Sequence, residues 1–68
     1  MKYPVIIERG SENYSAYVPD LPGCVSTGAT PEETQRNIRE AIELHVAGMR
    51  EGGEQLPEPS LVAFADVS

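Results

Sequence analysis

Apolar and polar positions alternate through residues 2–18, then recur at three- and four-residue steps from Thr34 onward. The first pattern predicts strands and the second a helix. Residues 2–8 (KYPVIIE) are rich in β-branched and aromatic types and predict a first strand. Pro4 cannot donate a ladder hydrogen bond, which places that strand at a sheet edge or starts it there. The segment 9–13 (RGSEN) predicts a hairpin turn. Residues 14–18 (YSAYV) predict the return strand, with Tyr14, Ala16 and Val18 on one face and Ser15 and Tyr17 on the other. Two prolines and a glycine in 19–23 (PDLPG) prevent either strand from continuing, so this stretch is a rigid loop. A short third strand is predicted over 24–27, closed by Gly28. After the polar link 54–60, the run 61–67 (LVAFADV) predicts a fourth.

The helix between these strands has the strongest local signals. Thr30 stands at the N-cap, Pro31 at the first helical position, and Glu32 and Glu33 in the first turn. Thr30 and Glu33 have capping-box spacing, and the two carboxylates complement the positive end of the helix dipole. Gly52-Gly53 supplies the stop, giving a helix over 31–51. At about 100° per residue, Thr34, Ile38, Ala41, Ile42, His45, Val46 and Met49 share one face. Arg36, Arg39, Glu40, Glu43, Arg50 and Glu51 share the opposite one.

The predicted architecture is therefore α+β, in the order β-β-β-α-β. It is a single domain, 1–68, with an antiparallel-rich sheet and one amphipathic helix on one face. A single helix covers only one face of such a sheet. The first strand is apolar on both sides, with Tyr3, Val5 and Ile7 on one and Ile6 on the other. Apolar surface is thus expected on the uncovered face, and contiguous exposed apolar surface marks interaction sites.

Length and charge sharpen this picture. A chain of 68 residues buries only about 60% of its unfolded surface, so outside support from a partner chain or self-association is expected. Cys24 is the only cysteine and His45 the only histidine, which excludes an internal disulfide and offers no clustered metal ligands. The lone thiol, and the lack of a leader or long apolar run, point to a soluble cytoplasmic protein outside membranes. Eleven carboxylates stand against five Lys and Arg, a formal charge of −6. That sign disfavours nucleic-acid backbones and favours basic partners, although it also serves plain solubility.

Chemistry finds little footing. His45 lies amid the apolar helix stripe, where a packed histidine accounts for it better than a general base. Cys24 has Asp20 as its nearest charge in sequence and reads as a small buried thiol. No phosphate-binding or dinucleotide glycine pattern is present. No cofactor, metal or catalytic residue is expected. The loop 19–23 has two readings: a stiff corner between strands, or a rigid contact for a partner.

Tyr17-Val18-Pro19-Asp20-Leu21-Pro22-Gly23-Cys24, then Gly28-Ala29-Thr30-Pro31-Glu32-Glu33, then Asn37-Ile38-Arg39-Glu40-Ala41-Ile42, resembles the N-terminal domain of HicB-family antitoxins over nearly the whole chain. The resemblance implies a partial ribonuclease H-like fold without that fold's catalytic carboxylates. It also implies a partner, a small basic HicA-type toxin that cleaves messenger RNA and that HicB-like proteins bind and block. Longer members carry a C-terminal DNA-binding segment. This chain ends at Ser68 after the predicted fourth strand, so operator binding by it alone is not expected. The alternative is an orphan module that self-assembles through the same open face. A ribonuclease H-like enzyme would need Glu8, Glu40 or Glu43, and Asp66 to converge on a metal, and Glu40 and Glu43 point away from the apolar stripe. For partner binding, the expected residues are Ile6, Glu8 and Tyr17 on the open sheet and Asp20, Leu21, Pro22 and Gly23 in the loop.

Overall fold

The computed structural model describes residues 1–68. Three strands, β1 (Ile6–Arg9), β2 (Tyr14–Tyr17) and β3 (Val25–Gly28), precede one helix, α1 (Pro31–Glu51). The strands form an antiparallel sheet in the order β1-β2-β3. This is the expected α+β arrangement, with one sheet layer and one helix layer. The β1–β2 turn is closed by a 2.7 Å hydrogen bond from Gly10 N to Asn13 O.

Register explains which face is buried. Ile7 pairs with Ala16 and Ala16 with Ser26, so these residues point toward α1. Ala16, Val18, Leu21, Cys24 and Ile38 form the buried core, with Thr34 fully buried beside them. Tyr3, Val5, Ala41, Ile42, Val46 and Met49 pack around it, half-buried. The predicted helix stripe is thus the inward face, and Arg36, Arg39, Glu40, Glu43, Arg50 and Glu51 are all exposed.

Helix placement is fixed at its start. Thr30 Oγ1 accepts from Glu33 N at 3.1 Å, while the Glu33 carboxylate accepts from Ala29 N at 2.8 Å. The return bond therefore reaches one residue before the cap rather than the cap itself. The Thr34 hydroxyl donates to Thr30 O at 2.7 Å, and the Asn37 amide donates to Thr27 O at 2.8 Å, tying α1 to β3. Gly28 permits this approach, because a Cβ there would lie 2.5 Å from Thr34 Oγ1 and 2.7 Å from Thr34 N. At the other end, Gly53 has φ +71°, with Gly53 N donating to Arg50 O and Glu54 N to Met49 O. That is the paired bonding of a Schellman stop.

Two predicted elements differ. The first strand begins at Ile6, because the prolyl nitrogen of Pro4 has no donor for the ladder; residues 2–5 stay outside it. Residues 61–67 form no strand. Alternation supplies strand propensity but not an edge to pair with, and this segment lies against none. Leu61, Phe64 and Val67 are 100%, 97% and 93% exposed.

Candidate functional site

The sheet face turned away from α1 is built from alternate residues of the three strands. Ile6, Tyr17 and Val25 stand opposite one another in one cross-strand row, and Glu8, Ser15 and Thr27 in the next. Ile6 and Tyr17 are 40% exposed and Val25 65%. Directly opposed side chains have Cβ atoms about 4.5–5.5 Å apart, so the first row is a continuous apolar strip. Exposed Glu8 gives it a negative flank.

The loop beyond β2 is two consecutive turns. Leu21 N donates to Val18 O at 3.0 Å and Cys24 N donates to Leu21 O at 3.0 Å, while Val18 N and Cys24 O close the base at 3.1 Å. Pro19 and Pro22 each occupy the second position of a turn, where their fixed φ is pre-set. Gly23 follows with φ +84°, the left-handed value a type II turn requires at its third position.

This geometry separates the predicted contact residues. Ile6, Glu8 and Tyr17 lie on the open face, and Pro22 and Gly23 are exposed at the loop tip. Leu21 does not belong with them. It is only 1% exposed and turns inward onto Ile38 and the rest of the core, because the two back-to-back turns point their shared residue at the sheet's end. Asp20 is occupied as well: it accepts from Ser60 Oγ at 2.6 Å and from Ser60 N at 2.9 Å. The hydroxyl bond first, and then the amide bond, holds its carboxyl below the usual aspartate range. Asp20 is thus a latch for the segment after α1, which Tyr3 also holds by donating from its hydroxyl to Pro57 O at 2.6 Å.

The other candidates fall into place. Cys24 is buried, and desolvation pushes its thiol up, which keeps it protonated at neutral pH. His45 is half-buried beside Pro22 and Met49, at the loop end of α1. The carboxylates considered for metal chemistry are not brought together. Glu8 faces away from the helix layer, Glu40 and Glu43 sit on the outer side of α1, and Asp66 is exposed in the C-terminal segment. Glu43 pairs instead with Arg39 at 3.6 Å. Val25 is the open-face residue that the sequence reading passed over. Burial of Cys24 implies an outward neighbour, and that parity was the available signal.

Fold and surface define a class, a two-layer α+β module whose sheet is covered on one face and open on the other. No helix is long and apolar enough to cross a membrane. Residues 3–66 match the HicB-like antitoxin of bacterial toxin-antitoxin systems, and the chain belongs to that family. It is 47% identical over 58 residues to a 14.9 kDa protein of the rep-hol intergenic region of Haemophilus phage HP1, covering 85% of this chain and 44% of that one. A UPF0150 protein of Helicobacter pylori is 50% identical over 44 residues, covering 65% and 61%. One of Thermoplasma acidophilum is 40% identical over 58 residues, covering 84% of each. The chain therefore spans less than two thirds of the first two relatives. Among solved structures, a chain of a HicA3 and HicB3 toxin-antitoxin complex superposes with a TM-score of 0.74 at 32% identity, covering 88% of this chain and 70% of that one.

Proposed function

We propose that this protein is an antitoxin module that binds a small basic HicA-type toxin and neutralises it by occlusion, without catalysis of its own. The observation that carries the reading is the apolar Ile6–Tyr17–Val25 strip, exposed on a sheet face that nothing in the chain covers. Family membership and the likeness to a chain from a toxin-antitoxin complex support it. A standard interface buries about 800 Å² per partner, a modest share of this protein's 5472 Å². The apolar strip supplies a water-excluded centre of the kind that dominates binding energy. The net charge of −6 steers encounter with a basic partner. Pro22 and Gly23, held at the end of the same sheet, offer contacts with little left to order on binding.

The test is co-purification with, and inhibition of, a HicA-type toxin from the same genome. Wild type should form a stable complex and stop messenger-RNA cleavage, and Tyr17→Asp, at an exposed position, should abolish both while keeping its helical spectrum. A toxin that remains active in excess of the wild-type protein refutes the proposal.

A further inference from the structure

A second unfinished surface lies on the helix side of the sheet. α1 sits over β2 and β3, so the sheet beneath β1 is left partly bare. Ile7 points toward the helix layer, opposite buried Ala16, yet is 37% exposed. A groove of about 810 Å³ opens there between the N-terminal segment and α1. Tyr3, Val5, Ile38 and Ile42 give it an apolar floor. Lys2, Arg36 and Arg39 stand at its rim, against Glu32 and Glu43. Three of the chain's five Lys and Arg thus gather at one groove of a molecule with net charge −6. Alongside runs the outer edge of β1, unpaired because β1 is terminal in the sheet order. An open edge of this kind is a template for another strand.

The chain also holds a strand with no sheet. Residues 61–67 alternate as Leu61, Ala63, Ala65 and Val67 on one side and Val62, Phe64 and Asp66 on the other, without proline or glycine. The segment after Arg50 contains Glu51, Glu54, Glu58 and Asp66 and no Lys or Arg. Its two anchors, Tyr3 to Pro57 and Asp20 to Ser60, carry it past the start of β1 to the β2–β3 loop and release it there. The outcome shows in the shape. The radius of gyration is 13.4 Å, against about 11 Å for a compact chain of this length.

We propose that residues 61–67 of one copy add as a strand to the β1 edge of a second copy, reciprocally, forming an exchanged dimer. Phe64 and Val62 then fill the groove over Tyr3, Val5 and Ile42, and Asp66, on the same side of the strand, reaches the Arg36 and Arg39 end. Each half supplies what the other lacks: an edge with an apolar, basic-rimmed groove, and an apolar, acidic strand. Seven residues span about 23 Å, enough to run the length of the four-residue β1 and past most of the segment before it. The arrangement is self-complementary and closes at two copies, as a two-fold interface does. It uses the side of the sheet opposite the proposed toxin surface, so it stands or falls independently of that reading.

Sedimentation of the full chain should give a dimer, and a mixture of isotope-labelled and unlabelled protein should show intermolecular NOEs from the Phe64 ring to Val5 or Ile42. Phe64→Asp, at a position almost fully exposed within one chain, should leave the helical spectrum intact and convert the protein to a monomer. A wild-type protein that stays monomeric at all concentrations overturns the proposal. So does a dimer that persists in Phe64→Asp, and so do Phe64 NOEs found only within one chain, the signature of a tail folded onto its own β1.

Discussion

Replacing Leu21 by alanine tests the two-turn loop as a structural element. The substitution removes three carbons from a side chain that is 1% exposed. At about 0.8 kcal/mol per buried methylene the transfer loss alone is roughly 2.4 kcal/mol. A cavity term adds to it, because the backbone bonds joining Val18, Leu21 and Cys24 keep the loop from collapsing into the space. The total is about 3 kcal/mol, inside the range of about 2–5 kcal/mol seen for buried leucines. A domain of this size has about 3–10 kcal/mol to lose. With a urea slope of about 1 kcal/mol/M, the midpoint followed by helical circular dichroism should fall by about 3 M, or the folded baseline should vanish. Leu21→Glu should do worse, since it buries an unpaired charge. Val25→Thr, on the exposed face, is the control and should stay within about 0.5 kcal/mol of wild type. A Leu21→Ala midpoint matching that control would refute the inward placement and return Leu21 to the list of contact residues.

Three further tests follow from the backbone and the titrating groups. Gly28→Ala should destabilise more than Gly23→Ala, since a Cβ at Gly28 meets Thr34 backbone at 2.7 Å while one at Gly23 meets nothing within 4 Å; Gly23→Ala carries only the φ +84° strain, about 1–3 kcal/mol, and the reverse order in chemical melts would count against the geometry. Thr30→Ala should cost about 1 kcal/mol by losing the cap, read as a fall of about 4–8 °C in Tm; an unchanged Tm would mean that the cap contributes nothing. Stability should also depend on pH at both ends. The lowered Asp20 carboxyl adds stability above the usual aspartate value of about 3.9, lost as pH falls through its folded value, and Asp20→Asn should flatten that acid limb. The raised Cys24 thiol adds stability below about 8.5, lost as pH rises past it, and Cys24→Ala should remove that alkaline slope; limbs unaltered by these variants would rule out the assignments.

What the sequence revealed, and what it hid, follows from how local each signal is. The helix over 31–51 and its cap were legible because capping, dipole and periodicity all act within a few residues. The β2 faces were legible because parity is local too. Leu21 was misread because its neighbours are polar or rigid, and only the pairing of two turns, a matter of three hydrogen bonds across 18–24, turns it inward. The hydrogen bonds of Asp20 were not legible because their partner, Ser60, lies forty residues away. The segment 61–67 has the composition of a strand, but a strand exists only with an edge, and no pattern along one chain states which edge is free.

The two uncovered surfaces differ in chemistry in a way that the layering explains. One helix over a three-stranded sheet leaves a whole face and one flank exposed, and six buried residues are all that the covered part provides. The exposed face is apolar with an acidic flank at Glu8, which suits a basic protein and repels a second copy of a chain with net charge −6. The flank beside β1 is apolar with Lys2, Arg36 and Arg39 at its rim against Glu32 and Glu43, a local excess of positive charge that suits the chain's own acidic C-terminal segment. Charge therefore sorts the two proposed occupants: a net charge of −6 favours a basic partner on the open face, and the basic side chains at the groove favour the acidic C-terminal segment there. Because the sheet separates the two, filling the groove does not block the strip, and an exchanged dimer would present two intact copies of the proposed toxin surface facing away from the groove.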